Sequence, residues 1–138
     1  MRKHNPIHSF HSFNADVSSR RNEFEFWSSL NLTNNHTDVE HTFISCKWIS
    51  CTGNSGGGIY YQKSDSRATL TIKKGEFYLC KATVSRGGGV YVDGINTIII
   101  EETLFHTCTA AAQYNAGGGG VEIVSLQSAP NIEQTSFL

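Results

Sequence analysis

The chain has 138 residues, with 11 basic and 12 acidic side chains that give a formal net charge of −1. This balance excludes nucleic-acid binding driven by phosphate neutralisation, which requires a strongly basic surface. The sequence also lacks any apolar run near the roughly 18–20 residues that a membrane-spanning helix needs, so no membrane span is predicted.

The first 38 residues differ from the rest of the chain in composition. They begin with charged residues and no apolar segment follows, so we predict no signal peptide in this chain. His4, His8 and His11 have helix-like spacing, but the neighbouring proline and serines argue against a helix. Leu30-Asn31-Leu32 could form an inner strand. We expect residues 1–38 to form a degenerate first coil or an N-terminal cap, part of it disordered.

Residues 39–138 contain three copies of one pattern, in which a phenylalanine is followed three residues later by cysteine and then by a glycine triplet. The copies are Phe43, Cys46 and Gly56, Gly57, Gly58; Phe77, Cys80 and Gly87, Gly88, Gly89; and Phe105, Cys108 and Gly118, Gly119, Gly120. A fourth copy begins at Phe137 and is incomplete, so we expect the chain to be a fragment or a truncated reading frame. A repeat of about thirty residues built from short strands indicates stacked coils.

Each copy contains three strand-like segments. The first follows the glycines (Ile59-Tyr60-Tyr61), the second is Thr69-Leu70-Thr71-Ile72, and the third is the Phe-x-x-Cys segment itself. If each segment pairs with its equivalent one coil away, about 4.8 Å along the axis, the result is a parallel β-helix with three faces. An antiparallel sandwich also has many short strands, but it does not explain why the motifs recur in register. We therefore predict an all-β solenoid of about three coils.

The glycine triplets resemble phosphate-binding loops only superficially. They lack the Gly-Lys-Ser/Thr ending that binds phosphate and magnesium, and no helical pattern follows them. Glycines before a strand are better explained by positive φ and close backbone packing at a corner of the coil.

The cysteines at equivalent positions, Cys46, Cys80 and Cys108, should form one column of small buried side chains, with Cys51 outside it. Parallel Cβ vectors suit a disulfide poorly, and a linear column suits zinc poorly. Structural packing is therefore the preferred interpretation. A disulfide that involves Cys51, or a metal site, remains open at this point.

Carboxylates are scattered rather than gathered on one face. Asp93 and the pair Glu101-Glu102 fall at different positions in the coil, and no acidic column recurs. β-helix lyases and hydrolases instead gather carboxylates on one face. We therefore predict no catalytic residue, no metal ligand and no cofactor, and a protein that is not an enzyme.

Tyr60 and Tyr91 are predicted to lie one above the other on the outside of the coil, with Glu122 next in the column. Stacked exposed tyrosines can form a flat amphipathic strip that binds sugar rings or a protein partner. Tyrosine is also common in strands, so an ordinary sheet surface is the alternative.

The glycine and phenylalanine motifs resemble those of the polymorphic outer membrane proteins of chlamydiae, in which Gly-Gly-(small)-(Ile/Leu/Val) alternates with Phe-x-x-Asn. Here cysteine takes the asparagine position and glycine the third small position, as in Gly56-Gly57-Gly58-Ile59 and Phe77-Tyr78-Leu79-Cys80. Cysteine-bearing versions occur in surface proteins of parasitic protists such as trichomonads. The resemblance covers residues 39–138. It implies a right-handed parallel β-helix of the pectin-lyase-like kind, displayed at a cell surface and often adhesive.

These observations predict a non-catalytic, surface-displayed repeat protein with an adhesive or scaffolding role, whose partner is a host or cell-surface protein or a glycan. One alternative is a fragment of a polysaccharide-active β-helix enzyme, either a lyase or a hydrolase. Another is an intracellular structural protein that assembles by end-to-end stacking of coils.

Overall fold

The computed structural model describes residues 9–10, 20–32, 39–63, 67–111, 119–124 and 128–138. Within these ranges the protein is all-β, with short parallel strands and no helix. The strands are β1 (Ser9–Phe10), β2 (Arg20–Asn22), β3 (Glu25–Phe26), β4 (Leu30–Leu32), β5 (Glu40–Ile44), β6 (Lys47–Ile49), β7 (Thr52–Gly53), β8 (Ile59–Gln62), β9 (Thr69–Lys73), β10 (Glu76–Tyr78), β11 (Lys81–Ala82), β12 (Val90–Asp93), β13 (Thr97–Glu101), β14 (Leu104–His106), β15 (Thr109–Ala110), β16 (Val121–Ile123), β17 (Asn131–Glu133) and β18 (Ser136–Phe137).

Each strand pairs in parallel with its equivalent in the neighbouring coil, and the result is a β-solenoid of about three turns, as predicted. The strands form sheet A (β1, β3, β6, β10, β14, β18), sheet B (β2, β5, β9, β13, β17), sheet C (β4, β8, β12, β16) and sheet D (β7, β11, β15). The chain passes through the sheets in the order B, A, D, C. The coil therefore has four sheets, and the prediction of three faces was wrong. Sheet D was not recognised in the sequence because its strands are only two residues long, too short to show alternation.

Two of the corners are only two residues long, and both are built in the same way. One leads from sheet B to sheet A, as at Lys74-Gly75, and the other leads from sheet A to sheet D, as at Leu79-Cys80. Each begins with a residue of positive φ. The backbone N–H of that residue donates to the next coil, as from Leu79 to the carbonyl of His106 at 2.9 Å. This hydrogen bond helps to offset the cost of about 1–2 kcal/mol of the left-handed conformation. The non-glycine residues in this conformation are Glu23, Ser45, Ser50, Lys74, Leu79, Glu102, Thr107 and Gln134.

Stacked aromatic rings fill the interior beneath sheet A. The column is Phe26, Trp48, Phe77, Phe105 and Phe137, with successive ring centroids 5.1, 4.3, 4.6 and 5.0 Å apart. The first four rings are at most 1 % exposed. Full burial of such a side chain stabilises the fold by about 1.5–3 kcal/mol, and a well-stacked pair adds about 0.5–1.5 kcal/mol.

The prediction that Phe43 belongs to this column was wrong. Phe77 pairs with Trp48, whereas Phe43 pairs with Ile72 in sheet B. The error has a physical cause. At both kinds of two-residue corner, the strand ends with an inward residue and an outward residue, and the corner itself consists of a residue of positive φ and a second inward residue. Phe-x-x-Cys therefore fits either corner. The true equivalent of Phe77-x-x-Cys80 is Trp48-x-x-Cys51.

The cysteine column is corrected for the same reason. Cys51 aligns with Cys80 and Cys108 at the corner from sheet A to sheet D, so the prediction that Cys51 lies outside the column was wrong. Cys46 lies instead at the corner from sheet B to sheet A, at the position that Gly75 occupies in the next coil.

The three glycines of a triplet have three different roles. Gly56 and Gly87 have a φ of +67°, which favours glycine. At Gly57 a Cβ would lie 2.3 Å from the carbonyl oxygen of Gly88 in the next coil, and at Gly58 it would lie 2.7 Å from the ring of Phe77. Gly89 and Gly120 meet Phe105 and Phe137 in the same way. Positive φ and close packing are thus both present, whereas Gly118 lies outside the described residues.

Residues 20–32 contribute a coil to the solenoid. Their strands β2, β3 and β4 pair with β5, β6 and β8, and Leu30 and Leu32 are fully buried. The predicted N-terminal histidines His4, His8 and His11 lie outside the described residues.

Candidate functional site

The outer face of sheet C carries the predicted strip. Tyr60 pairs with Tyr91, Tyr91 pairs with Glu122, and Asn31 precedes Tyr60 in the same column. The structure therefore brings the three predicted residues together. Their inward neighbours Ile59 and Val90 are fully buried, so the strip lies on a rigid sheet.

The two tyrosine rings stack on each other rather than forming a flat platform. Their centroids are 5.3 Å apart and their planes differ by 7°. Two parallel rings this close must lie in separate planes, one in front of the other, because rings side by side in one plane would collide. The ring faces of Tyr60 and Tyr91 that point along the column therefore cover each other. The strip consequently presents ring edges and hydroxyl groups to solvent, which favours hydrogen bonding over the stacking of sugar rings on a flat surface.

Polar groups beside the rings continue this hydrogen-bonding surface. The hydroxyl of Tyr60 donates to Oε1 of Gln62 at 2.8 Å, and Nε2 of Gln62 donates to Oδ2 of Asp93 at 3.4 Å. Burial, followed by the nearby carboxylate of Asp93, raises the pKa of Tyr91, so its phenol keeps its proton at neutral pH. Arg86 lies 3.7 Å from Glu122, between Nη1 and Oε2.

A second pair of outward columns lies on sheet A, and sequence reasoning missed it. One column contains Glu25, Lys47, Glu76 and Leu104, and the other contains Ile49, Tyr78 and His106. Trp27 directly follows the last paired residue of β3 and extends the second column by one residue. Trp27 is 40 % exposed and donates from Nε1 to Oε1 of Glu25 at 2.9 Å. A hydrogen bond to Glu76 likewise raises the pKa of Tyr78. Nζ of Lys47 lies 3.8 Å from Oε1 of Glu76.

This surface was missed because Trp48 was not recognised as an equivalent of Phe77. Aligning Phe43 with Phe77 places Thr42 and Ile44, rather than Lys47 and Ile49, beside Glu76 and Tyr78. The signal was present in the sequence, since Trp48 is followed three residues later by Cys51.

The cysteines at both corners bind the backbone at which the chain turns. Each thiol of the column donates to the carbonyl of the aromatic residue one coil earlier, as from Cys80 to Trp48 at 3.4 Å and from Cys108 to Phe77 at 3.4 Å. Each also reaches the carbonyl two residues back in its own coil. Thr103 makes this second contact with its hydroxyl, to Glu101 at 2.9 Å. Cysteine and threonine therefore both donate to the backbone at a corner, whereas the equivalent positions in other coils hold Phe24 and Gly75, so a side-chain donor is not required there.

None of the four thiols forms a disulfide; Cys46, Cys51 and Cys80 are buried, and Cys108 is partly buried. A contact with Cys108 lowers the pKa of Cys80, but a contact with Cys51 and burial raise it more, so the pKa rises from 9.0 to about 12. The contact with Cys80 and burial raise the pKa of Cys108 as well. Thiols with such raised pKa values are poor nucleophiles and poor metal ligands at neutral pH. Among the described residues no group of three histidine, cysteine or acidic side chains could hold a metal ion.

The carboxylates considered for catalysis lie on different faces. Asp93 lies on sheet C beside Gln62, whereas Glu101 lies on sheet B, where Oε1 is 3.6 Å from Nζ of Lys73. Glu102 is the residue of positive φ at a corner. The structure does not bring these three carboxylates together.

No protein-family model, curated protein or solved structure matches this chain. In the part of the chain that the structure describes, no helix has the length and apolar character needed to cross a membrane.

Proposed function

We propose that this protein is a non-catalytic β-solenoid that presents the strip of Tyr60, Tyr91 and Glu122 to a protein or glycan partner, in an adhesive or scaffolding role. The observation that carries the proposal is the stacked tyrosine pair, held 5.3 Å apart on a rigid sheet with its ring edges outward. The resemblance to the chlamydial repeat supports display at a cell surface. A right-handed, pectin-lyase-like form is part of the same proposal.

The strip recognises its partner through hydrogen bonds. The phenol of Tyr91 keeps its proton at neutral pH, because burial raises its pKa, and Glu122 provides a carboxylate at one end of the column. Two stacked rings lose little side-chain entropy on binding, because they already hold each other in place. Hydroxyl-rich glycans and polar protein segments both suit such an edge.

The test is binding of the purified chain to a glycan array and to immobilised extracellular-matrix proteins. The double variant Tyr60→Ser with Tyr91→Ser should lower binding about tenfold or more, since each lost hydrogen bond is worth about 0.5–1.5 kcal/mol. Tyr60→Phe with Tyr91→Phe keeps the stack but removes the hydroxyls, so it should lose most of the same binding.

Tyr78→Ser is the matched control, because Tyr78 is an outward tyrosine on sheet A. It should bind as the unmodified chain does. Failure of the unmodified chain to bind any probe, or equal binding by the double serine variant, would refute the proposal.

A further inference from the structure

Four rungs at the centre of the six-stranded sheet A, from β3 to β14, form two outward columns. Three of them place a charged residue in one column, here called the charged column, and an apolar or aromatic residue in the other, the apolar column: Glu25 with Trp27, Lys47 with Ile49, and Glu76 with Tyr78. The fourth rung places Leu104 and His106 in the same two columns. In the charged column the signs alternate in the first three rungs. The apolar column includes Trp27, which is 40 % exposed, and Leu79 lies beside it with 55 % exposure. Large apolar side chains clustered on an outer face, rimmed by charges, are typical of an interaction surface.

We propose that this face binds the same face of a second copy of the chain, with the two solenoids antiparallel. A two-fold axis along the strand direction places like columns opposite each other and reverses the order of the rungs. The axis lies between the Lys47 rung and the Glu76 rung. Lys47 of each copy then faces Glu76 of the other, and Ile49 of each copy faces Tyr78 of the other.

The charge pattern selects this position of the axis over its neighbours. An axis through the Lys47 rung would place Lys47 against its own copy and Glu25 against Glu76, so that every facing pair carries like charges. An axis through the Glu76 rung would place Glu76 against its own copy. An axis between the Glu25 and Lys47 rungs pairs opposite charges but overlaps only two rungs. Like-charge contacts suppress wrong arrangements, so the chosen position combines opposite charges with the greatest overlap.

In the outer rungs, Trp27 of one copy faces His106 of the other and Glu25 faces Leu104, so these rungs add no pair of opposite charges. Four rungs at about 4.8 Å make a strip roughly 15–20 Å long and only two side chains wide, so its area is well below the about 800 Å² per partner of standard stable interfaces. The dimer is therefore weak and is populated only at high protein concentration.

The test is sedimentation equilibrium over a wide range of protein concentration, with charge-reversal variants on the full chain. Lys47→Glu and Glu76→Lys should each weaken self-association by about tenfold or more, because both facing pairs then carry like charges. An equimolar mixture of the two variants should associate again. In the mixed dimer, two carboxylates of one chain face two ammonium groups of the other, although neither chain retains its own Lys47–Glu76 contact.

Lys73→Glu and Glu101→Lys are the matched controls. They reverse the same charges in the ion pair of 3.6 Å on sheet B, so they should leave self-association unchanged. Circular dichroism checks that each variant keeps its β structure.

The proposal is overturned if the unmodified chain stays monomeric at every concentration, or if the single variants on sheet A dimerise as well as the unmodified chain does. It is also overturned if the mixture of the two variants stays monomeric, or if the sheet B variants weaken association equally. Species larger than a dimer would indicate open-ended stacking of coils and would overturn it as well.

Discussion

Gly89 offers the sharpest test of how the glycine triplets and the aromatic column fit together. A Cβ at this position would lie 2.6 Å from Cδ1 of Phe105 and 2.8 Å from the carbonyl oxygen of Gly120. Phe105 cannot move aside easily, because its ring is stacked between Phe77 at 4.6 Å and Phe137 at 5.0 Å. The φ of Gly89 lies outside the left-handed region, so Gly89→Ala acts through overpacking alone. We expect a loss of about 1–3 kcal/mol, from a total stability of order 5–15 kcal/mol.

The measurement is urea denaturation at 25 °C, followed by circular dichroism. Gly75→Ala is the control, since its Cβ would meet a single methyl group, Cγ2 of Ile72 at 2.7 Å, with the next contact at 3.5 Å to Thr103, and neither a backbone atom nor a stacked ring is among its nearest neighbours. The same column already accommodates Cys46 and Thr103, so this change should alter stability by less than about 1 kcal/mol.

A double variant links the loss at Gly89 to the aromatic ring. Gly89→Ala combined with Phe105→Leu should cost at least about 0.5 kcal/mol less than the sum of the two single changes, because a smaller side chain relieves part of the overlap. Equal losses at positions 89 and 75, or strict additivity with Phe105→Leu, would refute the assignment of Gly89 to ring packing.

Three further predictions concern the corners. The pKa of Cys80 is raised from 9.0 to about 12, so the protonated thiol contributes stability below pH 9 that is lost as the pH rises toward 12. Urea titrations at pH 8 and pH 11 should therefore show a smaller loss of stability for Cys80→Ala than for the unmodified chain. Thr103→Cys should be tolerated within about 1 kcal/mol, since cysteine occupies the equivalent position in an earlier coil. Thr103→Ala should cost at least that much, because the carbonyl of Glu101 loses one of its two donors and the buried N–H of Gly75 loses its acceptor; equal losses would contradict the exchange of hydrogen-bonding groups. Leu79 has a φ of +56° and is 55 % exposed. Because asparagine tolerates positive φ better than leucine, Leu79→Asn should stabilise the fold by about 0.5–1 kcal/mol in thermal unfolding, while Leu104→Asn in strand β14 should not. No difference between the two variants would show that the positive φ costs little.

The sequence was sufficient for the class of fold and for the side-chain directions within long strands. Alternation in Thr69–Lys73 and Thr97–Glu101 identified Leu70, Ile72, Ile98 and Ile100 as inward, and all four are fully buried. The register of the first complete coil was not recoverable from Phe-x-x-Cys alone, because both two-residue corners accept that motif. Only the pairing of Phe77 with Trp48 resolves this ambiguity.

The candidate surfaces divide in the same way. The column of Tyr60 and Tyr91 was predictable, because each lies two residues after a glycine triplet. The direction in which the rings face was not, because the spacing of residues does not specify side-chain torsion angles. The columns of sheet A depend on the register that the motif left ambiguous, and therefore they could be recognised only from the pairing.

The lengths of the connections explain why sheet A is the most regular face of the solenoid. The connections from sheet B to sheet A and from sheet A to sheet D are two residues long wherever both strands are described, whereas those that lead into and out of sheet C differ in length between coils. An inserted residue in a long connection leaves the ladder unchanged, because loops tolerate insertions. One residue added to the corner at Lys74-Gly75 would instead exchange the inward and outward sides of the following strand. The fixed corners therefore keep the rungs of sheet A at constant spacing. A partner with its own regular repeat, such as a second copy of this chain, can match that spacing at every rung.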